Sequence, residues 1–546
     1  MVSWGMVPCV IFEDEQLLVV NKPAGWNTHA PSPYAGEGIY EWLKQREPRW
    51  SSLAILHRLD KETSGVIVFG KTPLANKSLT EQFTARRVHK KYFLLTDREV
   101  SEDRFKVTSK ISRSGEKYIN SASGEFAETE FTVIRRNRDH TWIEAMPLTG
   151  RTHQIRVHMA GKGLPILGDT LYGGTPSVRV CLHAAELEFS HPATVEKVSF
   201  KAEVSFFEPA SDAIRKAIIG PDTNCCRIRH GASDGTAQLY ADRLGDWLLV
   251  QGELDLSDRD EAALLHDAAR PHGIKGIYYK RLDRKPAGKS AAELSPQFFY
   301  GEAAPERFEV LENGVRYEMS FREGYSVGLF LDQRDNRRRL LTGHIAADFQ
   351  LPIANCQLSK APAEAAGQIG NWKLEILNCF AYTCGFSVCA AKVGARVTSL
   401  DLSKKYLEWG KRNFALNGLD PAAHDFIYGD TFDWLRRLAK KGRAFDAIVL
   451  DPPTFSQSKE HGTFRAEKDY GKLVTAALPV LKPGGVLLAS TNAAEFSPED
   501  FLADIETAVR AAKRKIVKQH YVPQPPDFPI SRAEPAYLKT VWLRIS

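Results

Sequence analysis

Four aspartates stand where an apolar run gives way to a loop, and they are the residues with most to offer a reaction. Asp60 lies in HRLDKETSG, His57–Gly65, between the apolar stretch 53–56 and a strand candidate starting at Val66, so its carboxylate sits on a loop tethered at both ends. Asp451 ends FDAIVLDPPTF, Phe445–Phe455, where a hydrophobic strand meets two prolines and an aromatic ring. A carboxylate beside strand-end carbonyl oxygens can orient a nitrogen, although a proline-stiffened strand exit would look the same. Asp401 ends a further strand candidate and is placed to accept hydrogen bonds from ribose hydroxyls, and Asp430 follows another in YGD. A kinase catalytic loop is set aside for HRLD, because that motif reads H-R-D and needs a Gly-rich loop and D-F-G.

Two kinds of scaffold must position these groups. From Gln16 to about Phe207, short strands at 17–20, 66–69 and 91–95 mix with a helix opened by Pro73 that carries Ala75, Leu79 and Phe83 on one face, an α+β pattern. A strand-like section follows at 238–251, and 281–306 is rich in Pro, Ala, Ser and charge, as a linker or insertion would be. Beyond it, strand candidates at 373–378, 396–401, 425–428, 445–451 and 486–490 alternate with helical stretches, with two more strands at 515–521 and 539–545. Such alternation predicts a doubly wound, largely parallel sheet. In EILNCFAYTCGFSV, Glu375–Val388, a strand turns into a helix at Gly385, as nucleotide-type ligands require at a sheet's carboxyl edge. The turn is not G-x-G-x-x-G, which weakens a dehydrogenase reading and favours a methyltransferase, since S-adenosylmethionine has no pyrophosphate to cradle.

Composition bounds the rest. A chain of 546 residues, 43% apolar and 26% charged, has material for about three or four domains and excludes both a single small module and global disorder. With no apolar run long enough for a membrane span and eight scattered cysteines, a cytoplasmic protein without a disulfide framework is expected. Cys379, Cys384 and Cys389 lack the close pairs of a zinc site, so no metal is expected. The net charge of +6 is a weak signal for polyanions, but basic clusters occur at 86–91, 135–138, 334–339 and 510–518.

HRLDKETSG resembles motif II of the RluA-type pseudouridine synthases. VVNKPAGW (19–26), VHKKY (88–92), LTGRTHQIRVHMAGKGLPILGDTLYG (148–173) and LHAAELEFSHPAT (182–194) resemble that family's other segments, in order, across about residues 16 to 205. The resemblance implies conversion of uridine to pseudouridine in RNA, with no cofactor or metal. On matching positions it implies Asp60 as the catalytic carboxylate, Tyr92 stacked beneath the target base and Arg156 paired with Asp60. Burial raises a carboxylate's pKa, and a guanidinium beside it opposes that shift. Arg58, Lys90, Arg151 and His153 are expected to contact the RNA, and His57 and His158 to hold phosphates or support the site; Lys91, Arg86 and Arg87 belong with the backbone contacts.

The later segments together resemble class I methyltransferases, and FREGYSVGLFLDQRDNR (321–337) with NCFAYTCGFSV narrows this to the large-subunit rRNA methyltransferases of the RlmI and RlmK type, over about residues 225 to 546. What this implies is an S-adenosylmethionine site at Phe380, Tyr382, Thr383, Gly385, Asp401 and Asp430, assisted by Gln333 and Arg334. The acceptor base would meet Asp451, Pro452, Pro453 and Phe455, with Asp451 in the catalytic role. Methylation at a pyrimidine carbon usually needs a cysteine thiolate, and Asp451-Pro452-Pro453 and Ser490-Thr491-Asn492 carry none, so a guanine nitrogen is the expected acceptor. The RNA-binding domain usual at the amino end of that group is replaced here by the synthase.

The expected architecture is multidomain: an α+β synthase domain at 1–207 with a mixed, mainly antiparallel sheet, a small α+β middle domain and linker at 222–305, and an α/β Rossmann-like seven-stranded methyltransferase domain at 306–546. The expected function is bifunctional RNA modification, with large-subunit rRNA as the partner. The rivals are an RNA-binding ribosome-assembly factor with one inactive half and a methyltransferase acting on protein.

Overall fold

The computed structural model describes residues 7–253, 273–282, 291–324, 326–351, 374–458 and 462–546. The strands fall into three larger sheets. The first has eleven strands and runs, edge to edge, Val10–Glu13, Leu17–Lys22, Ser64–Gly70, Leu182–Ser190, His89–Thr96, Thr141–Pro147, Glu125–Arg136, Arg104–Ser114 and Lys117–Asn120, with Lys197–Lys201 and Ala54–Ile55 pairing alongside. Its pairings are antiparallel except where Leu182–Ser190 meets Ser64–Gly70 in parallel. At that junction Gly65, the last residue of HRLDKETSG, has φ +119, and a Cβ would lie 2.2 Å from the Ala184 carbonyl oxygen, so a glycine is required for the strands to meet. Strand Ser64–Gly70 is buried throughout and anchors the loop that carries Asp60.

Helix Pro73–Thr84 starts at the expected proline, with Thr72 capping the Ala75 amide. Ala75 and Leu79 are fully buried, while half-buried Phe83 stacks on the His57 ring at 4.8 Å. Helix Ala210–Ile218 lies beyond the expected end of the first domain at 207, yet Ile214, Ala217 and Ile218 pack into the core beneath the first strands.

The second sheet orders Cys225–His230, Leu239–Leu244, Trp247–Gly252, Gly276–Arg281 and Gln297–Gly301. The strand-like section at 238–251 is thus a hairpin, and the Pro- and Ser-rich stretch holds an edge strand, with 283–290 outside the described residues. Adjacent Cys225 and Cys226 point to opposite faces and join different cores, as the two-residue period of a strand demands.

The third sheet has seven strands in the order Asp425–Tyr428, Arg396–Asp401, Glu375–Cys379, Phe445–Leu450, Leu481–Thr491, Lys539–Ile545 and Ile516–Val522. The first five are mutually parallel and Lys539–Ile545 runs against its neighbours. Order reverses between Glu375–Cys379 and Phe445–Leu450, which opens a crevice at their carboxyl ends. The strand expected at 486–490 is longer, because the structure draws the whole of Leu481–Thr491 into the sheet. Leu481 pairs with Phe445, and Gly484, at φ +76, takes up the irregularity.

The amino-terminal and carboxy-terminal parts meet through helices Ile39–Arg46 and Arg334–Thr342. Arg338 pairs with Glu47, Arg339 with Glu37 at 3.2 Å, and His344 Nε2 lies 2.8 Å from the Lys44 carbonyl oxygen. Arg337 is bidentate to Glu312, both bonds 2.7 Å. The basic cluster at 334–339 is therefore buried and spent on internal carboxylates, which corrects the expectation that such a charge run is a solvated face or, less often, a nucleic-acid contact. Arg514 likewise spends its guanidinium on carbonyl oxygens of 478, 481, 482, 545 and 546.

Candidate active sites

Two cavities collect most of the chemically capable residues. The first, of about 780 Å³, is lined by loop residues 56–60, strand residues Lys90 and Tyr92, and the 146–156 turn and helix. Thr28 brackets the Asp60 loop by donating to the Leu59 carbonyl at 2.8 Å and accepting from the Leu59 amide at 3.2 Å. Beneath it, fully buried Lys22 donates to the Pro23, Trp26 and Lys61 carbonyls. Burial brings that amine down to about 7, against the pull of Asp60 and Glu62.

Arg156 projects from helix Gln154–Gly161 with 2% of its surface exposed. Its two short bonds, 2.7 and 2.8 Å, go to Asp169, leaving Nη1 at 3.8 Å from Asp60 and 3.4 Å from Glu62. The sequence reading names Asp60 as the arginine's partner, but the structure assigns the bidentate bond to Asp169, which fixes the guanidinium in place while one nitrogen faces Asp60. Burial works against the cation, but Asp169, with Asp60 and Glu62 behind it, more than offsets that and raises the pKa. Tyr92 sits mid-strand on the cavity wall, and burial, then the nearby Asp60 charge, pushes its phenol upward, so it stays protonated.

The expected RNA contacts divide. Arg58 is exposed at the rim and donates to Thr152, Arg151 pairs with Glu125, and Lys90 lines the wall beside exposed Arg86. Lys91, one residue on, faces the other side of the strand and pairs with Glu144 and Glu186. His57 accepts the Val68 amide and His158 is buried between Thr129 and Ser109, so both support the frame rather than reach for phosphates. His153 lies 3.8 Å from Asp60. Asp169 and Tyr172, which complete this cluster, stand in the sequence segment ILGDTLYG; its Asp-x-x-Tyr spacing was the available signal.

The second cavity, about 1090 Å³, opens at the crevice of the parallel sheet. Phe380, Tyr382, Asp401, Asp430, Asp451, Pro452, Pro453, Phe455 and Gln333 all line it. Between strand and helix, Phe380, Tyr382 and Cys384 have φ of 58, 49 and 64, a left-handed alternation that side chains resist by about 1 to 2 kcal/mol each. Asp401 supports this turn, taking the Tyr382 amide at 2.8 Å on one oxygen and the Ser403 amide at 2.8 Å on the other. Burial raises its pKa and these amides restrain the rise. Asp430 also caps helix Thr431–Lys440, accepting from Phe432 and Asp433.

Asp451 accepts from Gln333 Nε2 at 3.1 Å, and Gln333 donates as well to Ser490 at 2.7 Å. Burial, then the charge of neighbouring Asp332, brings Asp451 up to about 7. Asp332 itself accepts from Tyr537 at 3.0 Å and faces the same cavity, a role visible in sequence only as part of FLDQR. Three expected cofactor residues stand back from the wall. Arg334 is buried in a bidentate pair with Asp527, Thr383 bonds the Gly328 carbonyl, and Gly385 begins the helix with Leu329 and Arg337 packed where a Cβ would go. Among the described residues no cysteine lines the cavity; Cys384 and Cys389 are buried with thiols pushed up to about 12. Among the described residues no cluster of three or more metal-type ligands occurs, and no helix is long and apolar enough to cross a membrane.

Comparison with known proteins finds a different family in each end of the chain. A family model described as RNA pseudouridylate synthase matches residues 16–161, and one described as S-adenosylmethionine-dependent methyltransferase matches 364–544. The chain is 34% identical over 348 residues to a ribosomal RNA large subunit methyltransferase of Deinococcus radiodurans, covering 62% of this chain and 77% of that one. It is 30% identical to ribosomal RNA large subunit methyltransferase I of Aeromonas salmonicida, covering 76% and 97%. Ribosomal large subunit pseudouridine synthase C of Yersinia pestis is 37% identical over 211 residues, 36% of this chain and 66% of that protein. The strained Phe380–Cys384 turn, the Asp401 carboxylate at its end and the aromatic walls suit S-adenosylmethionine, which offers ribose hydroxyls, an adenine face and a sulfonium.

Proposed function

Since the chain belongs to the family of large-subunit ribosomal RNA methyltransferases and carries an RNA pseudouridylate synthase domain ahead of that part, we propose that it makes two marks on large-subunit rRNA. In the first half, uridine becomes pseudouridine: the N1–C1′ bond breaks, C5 bonds to C1′, and the proton lost from C5 is balanced by one gained at N1. The observation that carries this reading is Asp60, Tyr92 and Arg156 on one cavity with Lys90, Arg58 and Arg151 around it. An ionised carboxylate beside a fixed guanidinium meets the ribose or base, Tyr92 stacks on the extruded ring, and the cations hold backbone phosphates.

In the second half the bound cofactor supplies an electrophilic methyl group. Asp401 and the Phe380–Tyr382 turn hold it, with Asp430 beside them at the edge of the site. Asp451 with the Pro452 and Pro453 carbonyls orients the acceptor nitrogen, and Phe455 stacks on its base. A guanine nitrogen is the acceptor, because attack at a pyrimidine carbon would call for a thiolate and the described wall has none. In a bacterial cell, the source of its named relatives, such a protein works in the cytoplasm, where rRNA is made and modified.

Nucleoside mass spectrometry of large-subunit rRNA from cells with and without the protein tests both halves. Loss of one pseudouridine and one methylguanosine is expected; a vanished carbon-methylated pyrimidine in place of the guanosine mark would end the nitrogen reading, and unchanged pseudouridine would end the synthase reading.

A further inference from the structure

His153 has φ 56 and ψ 17 at the start of helix Gln154–Gly161, a left-handed backbone that a residue with a side chain adopts at a cost of about 1 to 2 kcal/mol. The turn before it is over-determined: Gln154 Oε1 accepts from Thr149 at 2.7 Å and from the Arg151 amide at 3.0 Å, while Gln154 Nε2 donates to Glu128 and Thr129. The imidazole is thereby set between Tyr172, whose phenol oxygen is 2.8 Å from Nδ1, and Asp60, whose Oδ2 is 3.8 Å from Nε2.

The hydrogen bonds favour one arrangement of protons on this chain. The Tyr172 oxygen accepts the Tyr118 amide at 3.0 Å, so its own O–H is free to donate, and His153 Nδ1 is the acceptor beside it. The Tyr172 ring also lies against the Arg156 guanidinium, 5.1 Å from ring centre, and burial raises its pKa, so the phenol keeps its proton. The charged groups facing the imidazole are Asp60, Arg156, Glu62 and Asp169. Burial and the Arg156 cation keep it neutral against the three carboxylates. A neutral imidazole that accepts at Nδ1 carries its hydrogen on Nε2, the nitrogen turned toward Asp60. Arg156 Nη1 is also 3.8 Å from that carboxylate oxygen.

We infer that His153 is a positioning residue for Asp60: Tyr172 locks it as the Nε2–H tautomer, which donates to the carboxylate alongside Arg156 and orients it without adding charge. Hydrogen bonds of this kind are commonly long in the empty site and tighten around substrate. In this state His153 cannot serve as the base that takes the C5 proton. The inference rests on the synthase reading above, but the tautomer is a property of the free protein.

Two measurements on the full chain test it. With histidine labelled in its ring nitrogens, the wild-type nitrogen spectrum is expected to show a bare Nδ1 and a protonated Nε2 at His153, and Tyr172→Phe is expected to give a mixture of tautomers. A protonated Nδ1 in the wild type overturns the inference. Pseudouridine formation is then followed on large-subunit rRNA transcribed in vitro, comparing His153→Gln with His153→Asn. Asn suits a left-handed backbone better, yet its amide ends at the level of Nδ1, whereas the Gln amide reaches the level of Nε2. The Gln variant is expected to keep kcat within about tenfold of wild type and the Asn variant to lose about 100-fold, with KM for the RNA unchanged in both. Equal losses, or the better rate with Asn, overturn the inference. A wild type that forms no pseudouridine on this transcript counts against the synthase reading instead, and the nitrogen spectrum still decides the tautomer.

Discussion

The cavity at Asp60 and the cavity at Asp451 solve the problem of a buried acid in different ways. The first balances charge with charge: Asp60, Glu62 and Asp169 converge on one buried guanidinium, and Lys22 lies beneath. The second balances carboxylates with neutral donors, using backbone amides for Asp401 and a glutamine side chain for Asp451. Ion networks fail when one member is removed, because the survivors are left buried and unpaired, whereas single neutral hydrogen bonds fail by degrees. The difference teaches that the synthase side should respond to substitution almost all or none, and the methyltransferase side in graded steps.

The comparison breaks most sharply at Asp60. Asp60→Asn is expected to lower pseudouridine formation by on the order of 10³-fold or more while methyl transfer stays intact, measured on one RNA sample by nucleoside mass spectrometry; residual activity within tenfold of wild type would put Asp60 outside the chemistry. Asp401→Ala is expected to weaken S-adenosylmethionine binding by about 10- to 100-fold in calorimetry, the worth of one hydrogen bond to a charged group. The synthase rate should not respond, and unchanged affinity would remove Asp401 from the cofactor site.

Asp451 sharpens the contrast through pH. Its carboxyl is raised to about 7, so it is largely protonated below that and ionised above, and only the ionised form accepts from a base N–H with both oxygens. Methyl transfer is therefore expected to climb by about tenfold as pH rises from one unit below 7 to one unit above, and Asp451→Asn should flatten the profile at the lower rate. A profile falling across that range would contradict the assignment. The smallest effect belongs to Lys90→Ala, which should reduce the salt dependence of RNA binding by about 0.7 to 1 in the log–log slope, read from filter binding at several salt concentrations. An unchanged slope would mean that Lys90 touches no phosphate.

Much of both sites was legible before any coordinates. Asp60, Tyr92 and Arg156 reach one wall, as the resemblance of their motifs to the synthase family implies, and the strand ends at Asp401 and Asp451 open on one crevice, because alternation of apolar runs with loops marks strand ends directly. The errors came from side chains whose partners lie far off in sequence. Arg337, Arg338 and Arg339 read as a surface charge run, yet each is claimed by a carboxylate at 312, 47 or 37. Lys91 looked equivalent to Lys90 until the strand's two-residue period turned it toward Glu144 and Glu186.

The sequence by itself determined the order of the domains, through motifs that resemble two families, and the strand-end positions of Asp401 and Asp451, which depend on residue type and local periodicity alone. The tertiary structure decided which cation serves which carboxylate, that Asp169 holds the arginine that faces Asp60, and that Tyr172 reaches His153. Coulomb and hydrogen-bond energies depend on separation in space, and folding brings together residues whose distance along the chain carries no record of it.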